Sequence, residues 1–312
     1  MTQSGIRYVM GWLIGFAILC CAGQALADAA PDPLHKGLTP ARKSSRIRMV
    51  SERVDIYLGR ERCDFEVSFT MRNPTTGAES LEVGFPTSYE NEVRDPIVHI
   101  DGRRVETRPG IEKEIERIEF QGKEYSKIHA THWILWDMHF APEETQVLTM
   151  RYWVKPAFLS DYIVTPYTKY VHAIEDEFRH AGRTMPPAVS RLVTAVRAYA
   201  TGYILKTGSG WNDIIDHAVI AVHHRERGIG VLRRFYPEEH VTFRENSMIW
   251  DLSFFEPDFD LSIEFSGTLT VDEEIALVDA AIAAAGPGKA LREFRDYLTA
   301  LRDMMQSGER DH

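Results

Sequence analysis

Strict alternation of apolar and polar residues most limits the folds open to this chain. In "DFEVSFTMRNP" every second residue from Phe65 to Met71 is apolar. Successive side chains point to opposite sides of a strand, so this ribbon has one apolar face and one polar face. Asn73-Pro74 ends it, because proline has no N–H to give the ladder. Alternation also runs from Ile47 through Val54, Ile56 and Leu58, and "LEVGF" puts Leu81, Val83 and Phe85 on one side. "IVHIDGRRVE" reads as a tight hairpin around Asp101-Gly102, residues that tolerate positive φ. Residues 111–120 fit two periods: Ile111, Ile115 and Ile118 suit a helical stripe, Ile118 and Phe120 a strand. A short helix or irregular arm is expected there.

One phrase occurs twice. "HWILWDMHFAPEETQVLTMRYW" and "MIWDLSFFEPDFDLSIEF" each hold Trp-Asp, an apolar alternation, a proline and a second alternation. Ile134, Trp136, Met138 and Phe140 share a face, as do Leu148, Met150, Tyr152 and Val154 beyond Pro142. In the second copy Met248, Trp250, Leu252 and Phe254 precede Pro257, and Phe259, Leu261, Ile263 and Phe265 follow it. Each reads as a hairpin with one buried face. A lone hairpin is marginal in water, so each must pack on further strands. Two related β modules, or the same hairpin grammar used twice, account for the recurrence.

The texture between them is helical. Val189, Leu192, Val193 and Val196 form one stripe, with Pro187 as a start and Gly202 as a stop. At the C-terminal end, residues 271–285 run into Gly286-Pro287-Gly288. Beyond the break, Leu291, Phe294, Leu298, Leu301 and Met305 recur at steps of three and four, an amphipathic seam. That seam would dock a partner or pack on its own domain. The expected fold class is mainly β: two β-sandwich-like modules with a helical insertion between them and a C-terminal helical hairpin. The expected boundaries are a signal peptide at 1–27, a leader at 28–43, a first β module at 44–156, a helical linker at 157–198, a second β module at 199–268 and C-terminal helices at 269–312.

The signal peptide rests on Arg7, the apolar run Tyr8 to Ala22, and Ala25-Leu26-Ala27 before Asp28. The run is about 15 residues, short of a spanning helix. Cleavage near Ala27-Asp28 places the protein in the periplasm or outside the cell. Retention as an anchor, or acylation at Cys20 or Cys21, are the alternatives. No later segment is long and apolar enough to form a stable span. A net charge of −10 argues against nucleic acid and anionic membrane surfaces as partners. Cleavage would leave Cys63 as the one cysteine, on the apolar parity of its strand and so buried and inert.

The residues offer little for catalysis. "KTGSGW" lacks the Lys and Ser or Thr a phosphate loop needs after its last glycine, and reads as a turn. His129, His132 and His139 cluster in sequence, but His129 and His132 are oddly spaced, as are His223 and His224, and odd spacings on a strand split the faces. Asp137 and Asp251 occupy the same place in both phrases, opposite the apolar face, and should meet solvent. Trp133 and Trp153 also lie opposite that face; exposed, they would make a binding patch for sugars. No catalytic residue, cofactor or metal ligand is expected.

The phrases "FTMRNP…LEVGFP", "WILWDMHFAPEET…MRY" and "YILKTGSGWNDIIDHAVI…WDLSFFEP" resemble an uncharacterised family of exported bacterial proteins, a domain of unknown function, over roughly residues 40–267. Where that family tends to Pro-Gly-Glu-Thr at the central turn, this chain has Pro142-Glu143-Glu144-Thr145, and Asn212-Asp213 replaces a Gly-Pro type turn. The first strands also resemble the domain that opens inter-α-trypsin inhibitor heavy chains, a non-catalytic β module. The resemblance implies an exported, mainly β protein and no activity. The residues themselves set the expected function as non-catalytic: binding an as yet unidentified protein partner or envelope component. The alternatives are a carbohydrate-binding module using Trp133 and Trp153, and a metal-dependent hydrolase in which His129, His132 and His139, or Asp137 with a histidine, converge.

Overall fold

The structure is a computed structural model that describes residues 30–31, 46–87, 92–120, 123–159, 165–244 and 246–307. The expected signal peptide, the acylation alternative, and all of the leader except residues 30–31 lie outside these. The strands run β1 (Ala30–Pro31), β2 (Arg48–Tyr57), β3 (Cys63–Arg72), β4 (Glu79–Thr87), β5 (Arg94–Ile100) and β6 (Arg103–Arg104). Then come β7 (Arg108–Phe120), β8 (Lys123–Phe140), β9 (Thr145–Val154) and β10 (Ala157–Leu159). Helices α1 (Thr168–His180) and α2 (Pro187–Ala195) follow, and then β11 (Ala198–Tyr203), β12 (Ile215–His223) and β13 (Leu232–Tyr236). The last described elements are β14 (Val241–Arg244), β15 (Ser247–Phe255), β16 (Leu261–Ser266), α3 (Val271–Ala285) and α4 (Lys289–Ser307).

The fold is mainly β, with several sheets and a C-terminal helical pair. Its spine is an eight-stranded sheet ordered β14-β15-β12-β2-β3-β9-β5-β6. Trp250, Ile220, Val54, Val67 and Met150 stand directly opposite one another across five of these strands, and all are buried. The period-2 pattern thus gives the spine one continuous apolar face. Two four-stranded sheets share that face. The first, β1-β4-β8-β7, meets it where Phe85 packs edge-on to Tyr152 at 5.0 Å. The second, β10-β11-β16-β13, meets it through Phe235 against Trp250 at 6.2 Å. Two sandwiches are present, then, but they share a sheet. β2 and β12, far apart in sequence, join them by parallel pairing over residues 51–57 and 217–223.

The repeated phrases are arches, which corrects the hairpin expectation. β8 pairs with β4 and β7, and β9 with β3 and β5, so the chain changes sheet between them. β15 and β16 likewise lie in different sheets. Strands of an arch both turn their apolar side to the layer between sheets, and the alternation this requires is that of a hairpin. Asn73, fully buried, ties the first arch: its side-chain amide donates to Ala141 O at 2.9 Å and its backbone N–H to Glu144 O at 2.8 Å.

Two further expectations are corrected. Residues 111–120 are not helical but belong to β7, paired along its whole length with β8, which places Ile115 opposite Ile128. The partner strand, absent from any local period, decides the matter. The expected helix from Pro187 to Gly202 stops at Ala195; Val196 is extended (ψ 98°), and β11 forms six ladder pairs with β16. Asp101 (φ 48°) and Gly102 (φ 75°) do form the tight turn between β5 and β6.

Consecutive residues Ile263, Glu264 and Phe265 of β16 are all buried, so both faces of its sheet are covered: one by the spine, the other by helices. Arg233 on β13 meets Glu274 of α3 at 2.9 Å with both side chains fully buried, and Tyr167 donates its hydroxyl to the same carboxylate at 2.8 Å. A capping box of Thr270 and Glu273 starts α3. Along α4, Leu291, Phe294, Leu298, Leu301 and Met305 are buried within the chain itself, and Phe294 stacks on Tyr170 at 5.4 Å. This seam packs on its own domain and is not a free docking surface.

Candidate functional site

Beside the sheet β1-β4-β8-β7, residues 92–96, the start of β7 and residues 132–134 of β8 line an open cavity of about 560 Å³. Arg94, Pro96, Thr107, Arg108, His132 and Trp133 are among its lining residues. Thr87 fixes one wall by accepting the Val93 N–H at 2.8 Å. Gly110 fixes another. It stands opposite Trp133, and a Cβ there would lie 2.5 Å from Leu135 Cδ1. Glycine lets β7 lie this close over its neighbour.

Both guanidiniums at the cavity come with partners. Arg108 donates to both oxygens of Asp137, at 2.9 and 3.1 Å, and to Glu82. Those bonds, from Asp137 first and then Glu82, hold the Arg108 pKa above its ordinary value. Arg94 pairs with Glu92 at 3.1 Å and lies over the Trp153 ring at 5.1 Å. Arg62 lies over the same ring at 5.3 Å, and the Trp153 indole donates to Asp95 at 2.7 Å.

The open tryptophan platform that the carbohydrate alternative requires of Trp133 and Trp153 is not formed. Trp133 is 8% exposed and walls the cavity, while Trp153 has two guanidiniums over its ring. Arg94 and Arg108 carry no periodic signal, and sequence reading missed them; the only hint is an Arg-Pro-Gly run opening a strand.

His132 and His139, two of the three histidines of the metal alternative, do not converge. His132 and His139 are seven residues apart on β8, about 23 Å along a strand. Nothing is described for the side chain of His129. His139 is instead hydrogen-bonded to Ser80. Among the described residues no three His, Cys, Asp or Glu side chains are placed to hold a metal ion. Asp137 and Asp251 belong to different sheets, both largely exposed, with Asp251 against His217 at 2.8 Å. A pairing hidden from the sequence joins His223 to Asp55 at 3.0 Å, with Tyr57 stacked on the imidazole. Burial would raise the Asp55 pKa, but hydrogen bonds from His223 and Arg53 outweigh it and hold it below the ordinary value. Cys63 is fully buried and donates to Gly59 O at 3.6 Å; burial pushes its thiol up to about 12.

No family model matches the chain, and no curated protein does. Among solved structures, it is similar to a Legionella pneumophila protein described as a "putative nutrient binding protein", at 15% identity and TM-score 0.48, over 91% of this chain and 99% of that one. It is also similar to yeast LTA4 hydrolase in complex with bestatin (7% identity, TM-score 0.36, 73% of this chain and 31% of that one). An M1 zinc metallopeptidase from Deinococcus radiodurans aligns at 10% identity and TM-score 0.28, over 71% and 42%. Likeness at this level assigns neither a family nor an activity.

Proposed function

We propose that this is an exported, non-catalytic protein that binds an envelope component in the cavity between residues 92–96 and the start of β7. The cavity carries the reading. At about 560 Å³ it falls within the range of small-ligand sites, roughly 300–1,000 Å³, and it joins apolar walls to a few fixed polar groups. The seam of α4, the other surface suited to a partner, is already filled. The test is native mass spectrometry of the purified protein after exposure to small molecules extracted from the envelope. Thr107 is exposed and lines the cavity, so Thr107→Trp should fill it without disturbing the core. A ligand retained by the parent and lost by Thr107→Trp supports the reading. Equal retention by both, or by neither, refutes it.

A further inference from the structure

We infer, resting on that reading, that the cavity selects an uncharged, hydroxyl-rich ligand: a short neutral saccharide. The argument is one of charge compensation. The two guanidiniums of the lining face three carboxylates, since Arg94 has Glu92, and Arg108 has Asp137 and Glu82. An incoming anion would gain little from cations already paired and would be repelled by the acids beside them. An incoming cation would gain as little, because Glu92, the carboxylate of the lining, is paired with Arg94, and Glu82 and Asp137, outside the lining, are paired with Arg108.

A sugar hydroxyl suits such a wall, because it can donate to a carboxylate and accept from the guanidinium beside it. Asp137 and Glu82 use three of the five Arg108 N–H groups, which leaves two to be given. Thr107 and His132 add groups that both donate and accept. Trp133, Pro96, Pro109 and Ile134 supply the apolar surface on which the C–H face of a sugar ring rests. Carbohydrate recognition therefore moves from the outer tryptophan platform to an open cleft in which, of the two tryptophans, Trp133 takes part.

The full chain is titrated calorimetrically with three sets of probes: methyl glycosides of the common hexoses and N-acetylhexosamines, the matching uronic acids, and the matching amino sugars. A neutral tetrapeptide is added as a fourth probe. Neutral glycosides should bind at least about tenfold tighter than either charged set, a difference of about 1.4 kcal/mol. Their affinity should change by less than about twofold between low and high salt, since no net charge is neutralised. Thr107→Trp should abolish binding. Asp137→Asn with Glu82→Gln frees Arg108, so it should turn the preference toward the uronic acids and make it salt-sensitive. Preference for a charged set, or for the peptide, with loss in Thr107→Trp overturns the saccharide inference and leaves the cavity reading standing. Binding of a glycoside that Thr107→Trp leaves intact overturns both. If no probe binds, the saccharide inference fails, and the envelope-extract experiment decides the cavity reading separately.

Discussion

At the scale of single residues, Glu52 carries the sharpest consequence. It lies on the apolar face of the spine, 2% exposed, with one oxygen accepting the Tyr203 hydroxyl at 2.7 Å and the other without a partner among the described residues. Burial raises its pKa from 4.5 to about 7, and the Tyr203 bond offsets only part of that. A group raised on folding contributes fully below its unfolded pKa and loses that contribution as pH climbs through the folded value. Stability from this site should thus fall between about pH 4.5 and 7 by about 3 kcal/mol. Urea titrations at pH 5 and pH 8 should show the fall, and Glu52→Gln should flatten it and be the more stable protein at pH 8. Equal pH dependence in both would mean that Glu52 titrates normally. Glu143 invites the opposite kind of change. Its φ of 58° is left-handed, a conformation that costs a side-chain-bearing residue roughly 1 kcal/mol. Glu143→Gly should stabilise the protein by about that amount, seen as a higher urea midpoint. A lower midpoint would show that the Glu143 side chain is needed at the turn.

Elements show which structure a sequence can announce. The alternation of β3 and the seam of α4 were legible because each depends on a period within one element. Cys63 was legible for the same reason, through its parity with Phe65. The arches were misread because sheet membership depends on partners: nothing between Trp136 and Tyr152 shows that β8 pairs with β4 and β9 with β3. β7 was lost because its alternation is broken by charged residues, and its pairing lies with β8. The candidate cavity was illegible because loops and strand ends build it from residues with no shared period. Where the helices meet β13, the Arg233–Glu274 pair is fully buried and so sensitive to change. Glu274→Gln strands a guanidinium in the core and should cost about 3–5 kcal/mol, whereas Arg233→Met with Glu274→Leu should recover much of it. Urea midpoints check this; an unrecovered double variant would show that the remaining Arg233 bonds to Gly230, Leu232 and Leu269 carbonyls matter more.

For the whole molecule, the shared spine predicts that the halves do not separate. A fragment of residues 46–159 would keep the first sandwich but expose the edge of β2 that β12 covers. Calorimetry of the full chain should show one transition, and the fragment should aggregate or stay unfolded. Two resolved transitions, or a soluble folded fragment, would show that each sandwich is autonomous. The same parallel seam sets an order of events in the cell. A ribosome makes β2 early, yet its neighbour emerges only after roughly 160 more residues, an interval of about ten to thirty seconds at ordinary elongation rates. Through that wait the nascent chain holds an unclosed ribbon, and it would depend on chaperones until the late strand arrives to seal it.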